Sequence, residues 1–136
     1  MGEWVRVGKG GGVHAGQNGD VIGDAIEELA RADTLAFGGV GFAGTLLPVT
    51  EAYGRVQAAL AEQAETVREH LDRLLTHGSP AGRAYAATLL ERVDPSAARA
   101  AWASMRDDPG EFDTFRGCLM GRSSLGEYAE SRLAGG

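Results

Sequence analysis

The feature that most constrains the fold is the segment from Ser79 to Phe112, SPAGRAYAATLLERVDPSAARAAWASMRDDPGEF. Ser79 is a good N-cap, and Pro80 occupies the first helical position, where its missing N–H would have had no partner anyway. Asp94-Pro95 ends this helix and begins the next, because proline disfavours the α conformation in the residue before it and aspartate caps helices well. The segment therefore predicts two helices joined by one tight turn.

Both predicted helices carry apolar residues at helical spacing on one face. In the first helix these residues are Tyr85, Ala86, Leu89, Leu90 and Val93, and in the second they are Ala98, Ala101, Trp102 and Met105. A single hairpin cannot bury both stripes, so we expect neighbouring helices to stack on it. Trp102 lies within its stripe and is predicted to be a core residue.

The same segment resembles the short HEAT-like helical repeats. The residues that carry the resemblance are Arg83, Ala86, Ala87, Leu89, Leu90, Asp94-Pro95, Ala97, Ala98 and Asp108-Pro109. The resemblance implies a stack of antiparallel helical hairpins of the α-solenoid type. It implies no particular activity.

Other predicted helix starts continue the same spacing. Thr50 is a candidate N-cap, and a break near Gln63 lets the next helix start near Glu65. Together with Pro80 and Pro95, these starts recur about every 15 residues, as expected when a short two-helix repeat is counted one helix at a time.

Two more helices flank this series. One is predicted from Asp20 to about Arg31, and the last follows Ser124, which forms a capping box with Glu127. The segment from Glu111 to Met120 fits a helix and an extended strand about equally well. Its glycines weaken the helix, whereas its apolar spacing favours it.

Glycine divides the chain into two parts. Residues 1–19 are rich in glycine, which is costly to order, and we interpret them as a mobile N-terminal arm. Residues 20–136 are predicted to form a single helical-repeat domain, and the chain is long enough for one core. The predicted fold is all-α: a compact stack of antiparallel helical hairpins with a glycine-rich arm.

Charge and composition disfavour several kinds of partner. The net charge is −6 at pH 7, whereas nucleic-acid phosphates require a concentrated basic face. Cys118 is the single cysteine, so no internal disulfide can form and a reducing compartment is expected. The chain shows neither a signal-peptide pattern at its start nor a run of about 18 apolar residues. We expect a cytoplasmic protein that binds neither nucleic acid nor membrane.

The segment from Gly39 to Gly44 matches the ligand motif G-x-G-x-x-G. Such a loop can bring backbone N–H groups close to a phosphate at the start of a helix. Here Pro48 separates the motif from the next helix, and only a very short strand candidate, Leu35 to Phe37, precedes it. We interpret the motif as a packed glycine turn and expect no cofactor.

Cysteine and histidine give weaker signals. Arg116 and Arg122 lie near Cys118 and would lower the pKa of its thiol, but we interpret this residue as a small buried hydrophobe. The three histidines lack the spacing of a metal site: His14, His70 and His77. We therefore predict neither a metal nor an enzymatic activity.

The preferred function is a non-enzymatic protein–protein interaction or scaffolding module with another protein as its partner, because stacked hairpins present an extended ridge. The predicted contacts are exposed charges on the hairpins and one aromatic residue of the arm: Arg83, Glu91, Arg92, Arg99, Arg106 and Trp4.

Three alternatives remain open. The size and acidity suit an antitoxin or immunity-type inhibitor of a basic protein. The glycine-rich loop, residues 38–45, suits a small ligand-binding protein or enzyme. A helical-hairpin partner of a secretion system would need a continuous helix from Thr50 to His77 packed against Asp20–Arg31, and a break near Gln63 would contradict that version.

Overall fold

The structure, a computed structural model, describes residues 15–39, 46–116 and 119–135. Six helices and three short strands lie in these ranges, so this part of the chain is mostly helical, as predicted, but it is not all-α. In chain order they are α1 (Ala15–Ala30), β1 (Thr34–Leu35), α2 (Pro48–Glu62), α3 (Ala64–His77), α4 (Pro80–Val93), α5 (Pro95–Ser104), β2 (Glu111–Arg116), β3 (Leu119–Ser124) and α6 (Leu125–Gly135). Within the described ranges, none of the helices combines the length and the hydropathy that crossing a bilayer requires.

The four central helices begin at nearly regular intervals. Their first residues are Pro48, Ala64, Pro80 and Pro95, which are 15 or 16 residues apart. The predicted break at Gln63 is confirmed, because its backbone leaves the helical conformation (φ −134°, ψ 52°) between α2 and α3. The alternative that needed one continuous helix through this region is therefore wrong.

Local capping signals explain the start of three helices. The Ser79 hydroxyl accepts a hydrogen bond from the Gly82 N–H at 3.1 Å, and the Asp94 carboxylate accepts one from Ala97 at 3.1 Å. The capping box before α6 is formed, with the Ser124 hydroxyl 3.1 Å from the backbone nitrogen of Glu127. These three predictions are confirmed because a side-chain cap depends only on residues close in sequence.

The starts of α1 and α2 differ from prediction. Helix α2 begins at Pro48, and Thr50 lies inside its first turn, where its hydroxyl donates a hydrogen bond to the Ala36 carbonyl at 2.8 Å. The prediction of Thr50 as an N-cap is therefore wrong, because the hydroxyl bonds to a distant loop. Helix α1 begins at Ala15, ahead of the predicted Asp20, and so extends into the segment interpreted as an arm. Residues 1–14 lie outside the described ranges.

Helix α4 is the centre of the domain and contacts α1, α3, α5, α6 and two strands. Its side is so close to α1 that a Cβ added at Gly82 would lie 2.3 Å from the Leu29 carbonyl oxygen. The core around it is formed by apolar side chains of every helix; its largest fully buried members are Trp102, Tyr85, Phe112, Leu29, Leu71, Leu89, Leu90, Met105, Leu125, Val56 and Val67. The predicted burial of Trp102 is confirmed.

A small mixed sheet covers one side of the helices, in the order β1-β2-β3. Strand β1 pairs in parallel with β2, with Thr34 opposite Asp113, and β2 pairs antiparallel with β3. Of the two conformations left open for Glu111 to Met120, the extended one is observed in the part of that segment that the structure describes, residues 111–116 and 119–120. The buried ring of Phe112 attaches the sheet to α6, since its centroid lies 5.9 Å from that of Tyr128.

Two arginine–aspartate bridges connect a helix with a later Asp-Pro turn. Arg68 of α3 lies 3.1 Å from Asp94, and Arg83 of α4 lies 2.6 Å from Asp108. In each aspartate, an accepted backbone N–H lowers the pKa most, and the arginine lowers it further. The side chains of the second bridge are less exposed, at 26% and 24% against 38% and 37%.

Tyr85 holds the loop after β1 against α4. Its hydroxyl accepts a hydrogen bond from the Ala36 N–H at 2.8 Å and donates one to the Ala36 carbonyl at 2.9 Å. The ring lies in an aromatic cluster with Phe37 and Tyr53, with centroids 5.3 and 5.5 Å away. Burial raises the pKa of Tyr85 to about 12, so the hydroxyl stays neutral at physiological pH.

Candidate functional site

The six residues predicted to contact a partner fall into three groups. Arg83 and Glu91 are occupied by contacts inside the fold. Arg92, Arg99 and Arg106 are exposed on α4, α5 and the turn that follows α5. Trp4 lies outside the described residues.

Arg83 joins three parts of the structure. Its Nε donates to the Leu75 carbonyl at 3.1 Å, and its Nη1 donates to Asp108 at 2.6 Å. Asp108 in turn accepts the Gly110 N–H at 2.8 Å. Arg83 therefore connects α4 with the end of α3 and with the turn that precedes strand β2.

Glu91 is the acceptor of a three-residue cluster at the far end of α4. The buried indole of Trp102 donates to Glu91 Oε2 at 2.7 Å, and Arg132 Nε donates to the same oxygen at 3.2 Å. A second guanidinium nitrogen of Arg132 bonds to Glu91 Oε1. The hydrogen bonds to Glu91 raise the pKa of Arg132. Within this cluster, Glu91 and Arg132 therefore compensate each other's charge.

Beside this cluster a groove runs between α5 and α6. It contains two cavities of about 290 Å³ and about 740 Å³, and Arg99 and Leu133 line both. The smaller cavity is also lined by Glu91, Pro95, Ala98, Trp102, Ser131, Arg132 and Gly135. The larger one is also lined by Ala100, Ala103, Arg106, Glu130 and Ala134. We call these two cavities together the α5–α6 groove.

Of the three arginines that line the α5–α6 groove, two have an acidic partner in the described part of the chain and one does not. Arg132 is paired with Glu91, and Arg106 lies 3.8 Å from Glu130 in a solvent-exposed pair. Arg99 has no ion-pair partner among the described residues. The smaller cavity therefore combines one uncompensated guanidinium with a mainly apolar lining.

Sequence reasoning identified one wall of this groove and missed the other. Arg99 and Arg106 stand on the α5 side and were predicted as contacts. Glu130, Arg132 and Leu133 come from α6, which the hairpin β2–β3 returns to the side of α5. The capping box located the start of α6, but no local pattern indicates against which helix it packs.

The other candidate chemistries are not assembled in the described part of the chain. His70 and His77 line a separate cavity of about 250 Å³ between α1 and α3, together with Glu27 and Arg73. Nowhere in residues 15–39, 46–116 and 119–135 do three histidine, cysteine or acidic side chains converge as metal ligands would. His14, Cys118 and most of the glycine-rich loop, residues 40–45, fall outside those ranges.

Comparison with known proteins adds no family. No family model, no curated protein and no solved structure matches this chain.

Proposed function

We propose that this domain is a non-enzymatic protein-binding module and that the α5–α6 groove is its contact surface. One observation carries the proposal: Arg99, uncompensated and exposed, lines the smaller cavity together with the apolar residues Pro95, Ala98, Trp102 and Leu133. A charged rim around an apolar centre is the usual anatomy of a protein interface. Tryptophan and arginine are also the residues most enriched among energetically important contacts.

The regular helix starts support a HEAT-like stack as the scaffold of this surface. Four helices begin 15 or 16 residues apart, and each arginine–aspartate bridge ties a helix to a later Asp-Pro turn. In a stack of this kind each unit contacts its neighbours in sequence, and the exposed helix faces form an extended binding surface. The α5–α6 groove lies at the C-terminal end of that series.

Site-specific photocrosslinking tests the proposal. A photoreactive phenylalanine analogue is placed at Ala103, which is exposed and lines the groove, and in a matched variant at Glu65, which is exposed on α3. We expect a discrete covalent adduct with one protein in source-cell extract from the Ala103 position only. Arg99→Glu should remove the adduct, whereas Arg31→Glu, the same charge change at an exposed site outside the groove, should not. Equal adducts from both positions, or insensitivity to Arg99→Glu, would contradict the proposal.

A second candidate, an inhibitor of a basic protein, is favoured by the distribution of charge. Residues 20–78 contain ten acidic and four basic side chains, so the whole net charge of −6 is matched by this part alone. Glu27, exposed on α1, belongs to it. In that case, Glu27→Lys should weaken capture of the partner and Arg99→Glu should not, which separates the two functions in one experiment.

A further inference from the structure

Resting on the proposed function, we infer that the α5–α6 groove binds an acidic segment of its partner protein, with one carboxylate on Arg99 and one aliphatic side chain in the smaller cavity. The inference names the chemistry of the ligand, which the proposed function leaves open. It depends on the charge balance of the groove, the size of the smaller cavity and the small residues of α5.

The charge balance selects a single carboxylate. Two of the three arginines lining the groove already have acidic partners, Glu91 and Glu130, so only Arg99 is free to bind an anion. A guanidinium donates two parallel, charge-assisted hydrogen bonds to a carboxylate. A nucleic-acid backbone would instead bring several phosphates near both glutamates, and like charges across an interface are unfavourable.

The size of the smaller cavity selects a side chain. Its volume of about 290 Å³ is at the lower limit of about 300–1,000 Å³ for sites that enclose a whole small ligand. Pro95, Ala98 and Leu133 give it an apolar lining. An aliphatic side chain that enters it leaves water while the chain that carries it stays outside.

Small residues on α5 leave room for that chain. Ala100 and Ala103 line the larger cavity between Arg99 and Arg106, and both are exposed. Because these two positions carry only methyl groups, an extended segment can lie along α5 between the two arginines. The carboxylate and the aliphatic side chain then come from neighbouring residues of one short segment.

A peptide titration followed by two-dimensional NMR of the full chain tests the inference. The probe is acetyl-Gly-Leu-Glu-Leu-Gly-amide, and the matched control replaces Glu by Gln. We expect the acidic peptide to shift the Trp102 indole N–H and the amides of Arg99 and Leu133. The Gln peptide should bind about tenfold more weakly, the loss expected for one charge-assisted hydrogen bond.

Variants locate the binding. Arg99→Gln should reduce the affinity for the acidic peptide to that for the Gln peptide, whereas Arg31→Gln should leave it unchanged. Because both arginines are exposed, neither substitution should disturb the core. Superimposable spectra outside the groove would verify that the fold is intact. A peptide with both leucines replaced by alanine should bind more weakly to the wild-type chain, because it leaves the smaller cavity empty.

Several outcomes would overturn the inference. These are equal binding of the Glu and Gln peptides, shifts that lie outside the groove, and tighter binding of a short DNA duplex. If the Ala103 crosslink depends on Arg99 but the acidic peptide causes no shift, the groove is a protein contact that takes another kind of segment. If the crosslink also fails, the proposed function itself is wrong.

Discussion

The two parts of the chain on either side of Ser79 are held together differently. Residues 20–78 contain ten acidic and four basic side chains, and residues 79–136 contain eight and seven. Among the described residues of the first part, ion pairs between its own side chains lie within one helix: Arg55 with Glu51, and Arg68 with Asp72. In the second part they join different elements: Arg83 with Asp108, Glu91 with Arg132, Arg106 with Glu130, and Arg122 with Glu111 and Asp113.

This difference shows which forces position the groove. The helices α1, α2 and α3 associate through apolar side chains such as Val56, Val67 and Leu71, and most of the acidic side chains that the structure describes on them form no ion pair. The second part combines apolar burial with charged links between elements that are distant in sequence. Apolar contact is tolerant of small shifts, whereas a bridged pair requires a defined geometry. The groove is formed by the part with the stricter geometry.

The largest expected loss of stability comes from a substitution that forces the two parts of the chain apart. Gly82→Ala would place its Cβ 2.3 Å from the carbonyl oxygen of Leu29, so α4 or α1 must move. We expect a loss of about 3 kcal/mol in the free energy of unfolding, measured with urea. The matched control is Gly54→Ala, in a helix with no neighbour within 4 Å of the new Cβ. It should stabilise the protein by about 0.5–1 kcal/mol.

Removing Arg83 tests the charged links of the second part. Arg83→Met keeps most of the apolar stem but removes hydrogen bonds to Asp108 and to the Leu75 carbonyl. We expect a loss of about 2 kcal/mol, since hydrogen bonds to charged groups are worth more than neutral ones and Asp108 loses its partner. A double-mutant cycle with Asp108→Asn should show strong coupling. Additive effects would mean that the bridge contributes little.

Tyr85 connects the parts through an uncharged link. Tyr85→Phe leaves the buried N–H and carbonyl of Ala36 without this partner, and we expect a loss of about 1.5 kcal/mol at neutral pH. The pH dependence has a defined sign. The pKa is 10.0 in an ordinary tyrosine and about 12 in the folded chain, so this contribution is present below pH 10 and is lost as the pH rises to about 12. The free energy of unfolding of Tyr85→Phe should fall less over that range; an equal fall would exclude Tyr85 as its cause.

The smallest effect sharpens the comparison. Arg68→Met breaks the ion pair between Arg68 and Asp94, which links the first part to the second. The side chains of this pair are more exposed than those of the Arg83–Asp108 pair. Because exposed ion pairs contribute little, we expect a change within the error of the extrapolated free energy. A loss as large as that of Arg83→Met would show that both parts depend equally on charged links. Urea unfolding of the two variants side by side decides this.

Short-range signals predicted what depends on short-range contacts. The caps at Ser79 and Asp94, the break at Gln63 and the burial of Trp102 all follow from residues a few positions apart. The sequence left the second strand open against a helix and did not predict the sheet, because β1 is only two residues long and pairs with a strand almost eighty residues later.

The same limit applies to the candidate site. Glu91 was predicted as an exposed contact, but its partner Arg132 lies 41 residues away in sequence, on a helix whose packing no local pattern indicates. The ion pair of Arg83 was missed for the same reason, because Asp108 is 25 residues away. Arg99 stays in the predicted set since the described part of the chain offers it no acidic partner.

The position of Trp102, whose indole is bonded to Glu91, makes the groove observable by fluorescence. Trp102 is 1% exposed and lines the smaller cavity, so its fluorescence spectrum depends on what fills that space. The only other tryptophan in the chain is Trp4. A Trp4→Phe chain would therefore emit from a single indole in the wall of the groove, and occupancy could be followed without an attached dye.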